Sequence, residues 1–221
     1  MKYEYIIQEQ NPRLLLFFAG WASDPTPFRH YRPKDRDFII CYDYRTLEHD
    51  FLPPGIYQKI DVVGWSMGVW AASHIGPQLG IPIGHSIALN GTPFPIDAEL
   101  GIHPDIWQGT LDNLSPASLH KFCRRMCLDS NAFHQFLRIT PRRPVEELAE
   151  EMRSIEKQRL SLLSPTFHWE KAIVGSNDRI IPPGNQCRTW QMLNVPFYQT
   201  EDAHYSEPMF HQYLEEVWRN N

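Results

Sequence analysis

The chain has 221 residues, 42% hydrophobic and 21% charged, with a net charge of −5 at pH 7. That length and balance describe a single globular domain, and the acidic sign argues against a nucleic-acid binder or a protein held to an anionic membrane by its overall charge. The longest aliphatic-aromatic run, 14–18, is far too short to cross a bilayer, and residues 1–5 lack the apolar stretch of a secretion signal, so a cytoplasmic location is expected.

Taken in chain order, strand-like runs occur at 3–8, 13–18, 37–42, 59–63 and 83–89. The fourth run leads into Gly64-Trp65-Ser66-Met67-Gly68, and a helix is predicted over 69–75. A G-x-S-x-G between a strand and a helix is a nucleophile elbow: the turn strains the serine backbone and exposes its hydroxyl, and bulky flanking side chains would strike neighbouring backbone. After residue 93 the strand pattern stops. Between 94 and 168 the spacing predicts several helices, one starting at Ser115-Pro116, one near Asn131, and one from Pro144 to about 163 with Glu146 and Glu147 in its first turn. Strand character resumes at 171–174 and 194–199, and a last helix is expected over 207–218.

Strands alternating with helices imply a mostly parallel central sheet flanked by helices, and with the elbow after the fourth run the expectation is an α/β-hydrolase fold. The expected core is 1–93 with 169–221, and about 94–168 forms an inserted helical lid. The four cysteines, Cys41, Cys123, Cys127 and Cys187, have no finger-type ligand spacing and read as packed reduced thiols. No metal and no cofactor are expected.

An elbow serine needs a base and an acid, which in this fold follow it in the order serine, acid, histidine on loops after late strands. Asp178 follows the resumed strand, and His204 follows the last one. Asp202 is a competing acid, but two residues from His204 it is badly placed to orient the imidazole from behind. One oxyanion donor is expected from the backbone N–H of Met67. The other is expected from Trp21, in Ala19-Gly20-Trp21 after the second run, with its indole forming pocket wall. The composition leaves open whether Trp107, Phe133 and Phe136 line a pocket or pack the lid. Between 115 and 145, Lys121, Arg124, Arg125, Arg138, Arg142 and Arg143 face one acid, Asp129, a local balance of +5 in an acidic chain. Such a surface suits an acidic partner, unless Glu146, Glu147, Glu150 and Glu151 neutralise it in space.

Phe18-Ala19-Gly20-Trp21, Ile40-Cys41-Tyr42-Asp43-Tyr44, the string from Val63 to Trp70, and Ala88-Leu89-Asn90-Gly91-Thr92-Pro93 together resemble the BioG family of pimeloyl-acyl-carrier-protein methyl ester esterases. The resemblance extends through Phe122-Cys123-Arg124-Arg125-Met126-Cys127 to His204. It implies a methyl ester of a seven-carbon diacid on acyl carrier protein as substrate, in biotin precursor synthesis. It also implies Ser66, His204 and Asp178 as nucleophile, base and orienting acid, and the basic lid face as carrier dock. A general short-chain carboxylesterase or thioesterase remains open on the residues alone, as does a hydrolase-fold binding protein without turnover.

Overall fold

Five consecutive apolar residues at 14–18 cannot be hidden by covering one face of a strand. In the computed structural model, which describes residues 1–50, 56–162 and 166–216, both faces are covered. Leu14, Leu16 and Phe18 pack on one side with Ile39, Val62 and Trp70; Leu15 and Phe17 pack on the other with Ile40, Val63 and Phe210. The strand carrying them lies inside a seven-stranded sheet.

The strands are β1 (Lys2–Ile7), β2 (Arg13–Phe18), β3 (Asp37–Tyr42), β4 (Lys59–Trp65), β5 (Ile83–Leu89), β6 (Lys171–Gly175) and β7 (Phe197–Thr200). Their order is β1-β3-β2-β4-β5-β6-β7. β1 runs antiparallel to β3, and every other pair is parallel. The sheet therefore ends all its parallel strands on one edge, where the loops after β2, β4, β5, β6 and β7 gather. This is the α/β-hydrolase arrangement that the sequence implies.

The helices are α1 (Met67–Ile75), α2 (Pro104–Asp112), α3 (Pro116–Met126), α4 (Ser130–Phe136), α5 (Val145–Ser161), α6 (Pro183–Met192) and α7 (Glu207–His211). Four of them, α2 to α5, stand in the chain between β5 and β6. α3 starts where expected: Ser115 accepts from the Ser118 N–H at 3.2 Å, and Pro116 follows it in the first turn. α4 is capped by Asp129, which accepts from Ala132 N–H at 2.9 Å. Cys41, Cys123 and Cys127 are buried, and burial pushes the last two thiols up to about 11 and about 12.

Three details depart from the sequence reading. α6 carries no predicted helix, because its buried residues Gln186, Thr189 and Trp190 include two polar ones and give no apolar stripe. β7 begins later than 194, since Asn194 turns with φ 54° at the end of α6 before Pro196. α7 gives way to a wider π-helical turn over Gln212–Glu216, and the end of the expected helix lies outside the described residues, as does residue 163 after α5. Among the described residues no helix is long and apolar enough to cross a membrane.

Candidate active site

β4 ends at Trp65 and α1 begins at Met67, which leaves Ser66 alone in the turn. Its φ of 56° and ψ of −122° lie where a residue with a side chain is strained. Close packing holds that strain. A Cβ on Gly68 would stand 2.0 Å from the Phe18 carbonyl oxygen, and one on Gly64 would stand 2.9 Å from the Val69 Cα. Neither position has room for any other residue. The Ser66 N–H donates to the Leu89 carbonyl at 2.9 Å and ties the elbow to the end of β5.

The loops after β6 and β7 bring Asp178 and His204 to this serine. His204 Nε2 is 2.9 Å from Ser66 Oγ, and Nδ1 is 2.8 Å from Asp178 Oδ2. All three residues are buried, with exposures of 7% for Ser66, 5% for Asp178 and 1% for His204. Asp178 Oδ1 accepts from the N–H groups of Ile180 at 2.8 Å and Ile181 at 3.0 Å, and Oδ2 also accepts from Gln186 Nε2 at 2.8 Å. A carboxylate so placed requires the proton on His204 Nδ1, which leaves Nε2 as the acceptor for the serine hydroxyl. Asp202 is not part of this chain of bonds: its carboxylate accepts from Ser206 Oγ.

The groups that hold these loops carry no catalytic motif in the sequence. Asn90, at the end of β5, donates through Nδ2 to the carbonyls of Ala203 at 2.8 Å and His204 at 3.1 Å, and its Oδ1 accepts from Gly175 N–H at 2.6 Å. Trp65 Nε1 donates to the same His204 carbonyl at 2.8 Å. An Asn-Gly pair directly after a strand was the available signal for Asn90, which has φ 44°. Gln186 gave none, because a glutamine is ordinarily a surface residue.

Met67 and Trp21 both line the cavity that contains Ser66 and His204. Gly20, just before Trp21, packs close to the serine: a Cβ there would lie 3.2 Å from the Ser66 Cβ. The Trp21 indole donates to the Leu148 carbonyl at 3.1 Å and meets Phe122 edge to face, so it forms wall as expected. This inner pocket has a volume of about 60 Å³ and opens beside an outer groove of about 660 Å³. Trp107, Met152 and Ile102 also line the inner pocket. Phe133 and Phe136 instead pack in the core, Phe136 against Tyr205 with ring centroids 4.6 Å apart. Among the described residues no group of three His, Cys, Asp or Glu side chains is arranged to hold a metal ion.

The basic residues divide into three groups. Lys121, Arg124 and Arg125 are exposed on α3 and line the outer groove, joined there by Arg179, which the sequence analysis did not single out. Arg138 and Arg142 are exposed but line neither space. Arg143 corrects the expectation. Its side chain is 6% exposed and paired with Asp43 at 3.0 Å and Glu151 at 2.7 Å, so it is spent inside the protein. Burial opposes ionisation of Asp43, yet Arg45, Arg143 and Lys2 hold its carboxyl down at about 2. Burial outweighs Arg143 at Glu151 and raises that carboxyl above its ordinary value. Glu147 and Glu151 thus neutralise Arg143 and Glu150 pairs with Arg45, while among the described residues none of these glutamates pairs with Lys121, Arg124 or Arg125.

The family model described as pimeloyl-ACP methyl esterase BioG matches residues 1–214. The crystal structure of BioG from Haemophilus influenzae is 35% identical, covers 93% of this chain and 94% of its own, and superposes with a TM-score of 0.83. A Bacteroides fragilis protein named malonyl-[acyl-carrier protein] O-methyltransferase is 52% identical over 90% of this chain, and the chain spans 41% of that relative's length. At 12% identity and a TM-score of 0.62, an enol-lactonase from Burkholderia xenovorans, covering 92% of this chain and 88% of its own, shares the fold.

Proposed function

We propose that this chain, which belongs to the BioG family, is a serine carboxylesterase that hydrolyses the methyl ester of pimeloyl-acyl carrier protein to the free carboxylate and methanol, in biotin precursor synthesis. The observation that carries the reading is the unbroken relay Ser66 Oγ, His204 and Asp178, with links of 2.9 Å and 2.8 Å, at the inner end of an apolar pocket. His204 takes the Ser66 proton as Oγ attacks the ester carbonyl. The Met67 and Trp21 N–H groups stabilise the oxyanion, each worth about 3 kcal/mol in comparable sites. Methanol leaves with the proton from His204, and water then attacks the acyl-serine by the same route.

The helices α2 to α5 act as the lid in this reading, and the outer groove takes the arm that tethers the acyl chain. Lys121, Arg124 and Arg125 face an acidic carrier protein there, with Arg138 and Arg142 as further contacts from the loop between α4 and α5. Selectivity between the two reactive carbonyls is positional, since the inner pocket admits the far ester while the groove keeps the thioester away from Ser66. The name of the Bacteroides fragilis relative fits this reading. Methylation of a carrier-bound carboxylate creates the class of ester that Ser66 would later cleave, and this chain matches less than half of that longer protein. A carrier-bound substrate goes with a cytoplasmic enzyme.

The test is a parallel assay of methyl pimeloyl carrier protein and an acyl-thioester carrier protein. Release of methanol from the first, without thioester cleavage in either, supports the reading, and Ser66→Ala should lower kcat by at least about 10⁴. Preferred cleavage of the thioester would make the protein a thioesterase instead.

A further inference from the structure

Among the described residues, the ionisable side chains lining the Ser66 pocket are His204, Arg125 and Arg179, and no carboxylate lines it. The remaining wall is largely Trp21, Trp65, Ile106, Trp107, Phe122 and Met152. The two arginines come from different elements, α3 and the loop after β6, and both also line the outer groove. They therefore stand where the two spaces meet. Among the described residues neither is held in an ion pair with a carboxylate. Arg125 is steadied by the ring of Phe122, with its guanidinium 6.0 Å from the centroid. The acids of the outer groove, Asp105 and Asp129, do not reach the inner pocket, and Asp129 is engaged in capping α4.

An apolar pocket closed at its mouth by two guanidiniums favours a chain that is neutral at the reacting end and anionic at the other. The thioester of a carrier-bound ester is neutral and cannot use that charge fully. A free carboxylate can, through the paired N–H donors that a guanidinium offers. We infer that the pocket takes methyl half-esters of free aliphatic dicarboxylic acids as a second substrate class, with Arg125 and Arg179 binding the free carboxylate while the ester carbonyl lies at Ser66. The inference rests on the hydrolase reading above. The reaction needs no further reactant: Ser66 Oγ displaces methanol, whose proton comes through His204, and water releases the diacid.

The experiment measures kcat/KM of the full chain for monomethyl pimelate, dimethyl pimelate and methyl heptanoate, alongside methyl pimeloyl carrier protein. Monomethyl pimelate should exceed methyl heptanoate by about tenfold, and the advantage should shrink with added salt. In Arg125→Gln and in Arg179→Gln the ratio of these two rates should fall severalfold. Equal rates on all three free esters, or variants that lower all three alike, overturn the inference. Turnover of the carrier-bound ester with none of the half-ester overturns it too and leaves the hydrolase reading standing. No turnover of any ester overturns both.

Discussion

A serine hydroxyl is a weak nucleophile until a base stands within a hydrogen bond of it, and at Ser66 that position is held by His204 Nε2 at 2.9 Å. The imidazole is in turn only as well placed as the carboxylate behind it. Asp178 has four donors directed at its two oxygens, and one of them, Gln186 Nε2, also donates to the Ile181 carbonyl at 2.8 Å. Gln186 is fully buried, so its bond to the carboxylate is not exchanged for water. Gln186→Leu should therefore cost about 1.5 kcal/mol at the charged acceptor, roughly a tenfold loss in kcat with little change in KM. Steady-state kinetics on a small ester checks this, and a variant that loses stability but keeps kcat would reduce Gln186 to a packing role.

At the level of elements, the site is a meeting of strand ends. β4, β5, β6 and β7 are neighbours in one parallel set, so the elbow, Asn90, Asp178 and His204 emerge on one edge although 138 residues separate the first from the last. Strand order alone does not fix the loops in register. Asn90 does so by bridging Gly175 before the acid and Ala203 and His204 at the base. Asn90→Asp would turn the donor into an acceptor facing two carbonyl oxygens, whereas Asn90→Gly keeps the positive φ and merely removes the bonds. The aspartate variant should be the less stable of the two, by about 1–3 kcal/mol in denaturant unfolding, and both should lose activity. Equal stability of the two would mean that the bridge contributes little.

For the whole molecule, the net charge of −5 conceals a cationic rim. The cluster around Asp43 and Glu151 absorbs Arg143, while Lys121 and Arg124 remain at the groove. Charge reversal at Lys121 and Arg124 should raise KM for a carrier-bound ester about tenfold, more than reversal at Arg138 and Arg142, and its effect should diminish as salt rises. Equal effects from both pairs, or none from either, would overturn the proposed docking of a carrier at the groove.

How much of this was legible beforehand depended on whether a signal was local. Glycines flanking Ser66, the apolar run at 14–18 and the cap at Ser115 report steric and hydrogen-bonding demands within a few residues, and each is met as expected. α6 and Gln186 were not legible, because a polar face buried by hydrogen bonds has the same composition as an exposed one.

The sequence by itself determined six of the seven strands to within a residue or two, and the elbow, since these are set by local periodicity and backbone sterics. Only the tertiary structure decided that Trp107 lines the pocket while Phe136 does not, and that Arg143 is buried among carboxylates while Arg125 and Arg179 face the pocket. Those outcomes depend on distances between residues far apart in the chain, and such distances exist only once the sheet has closed.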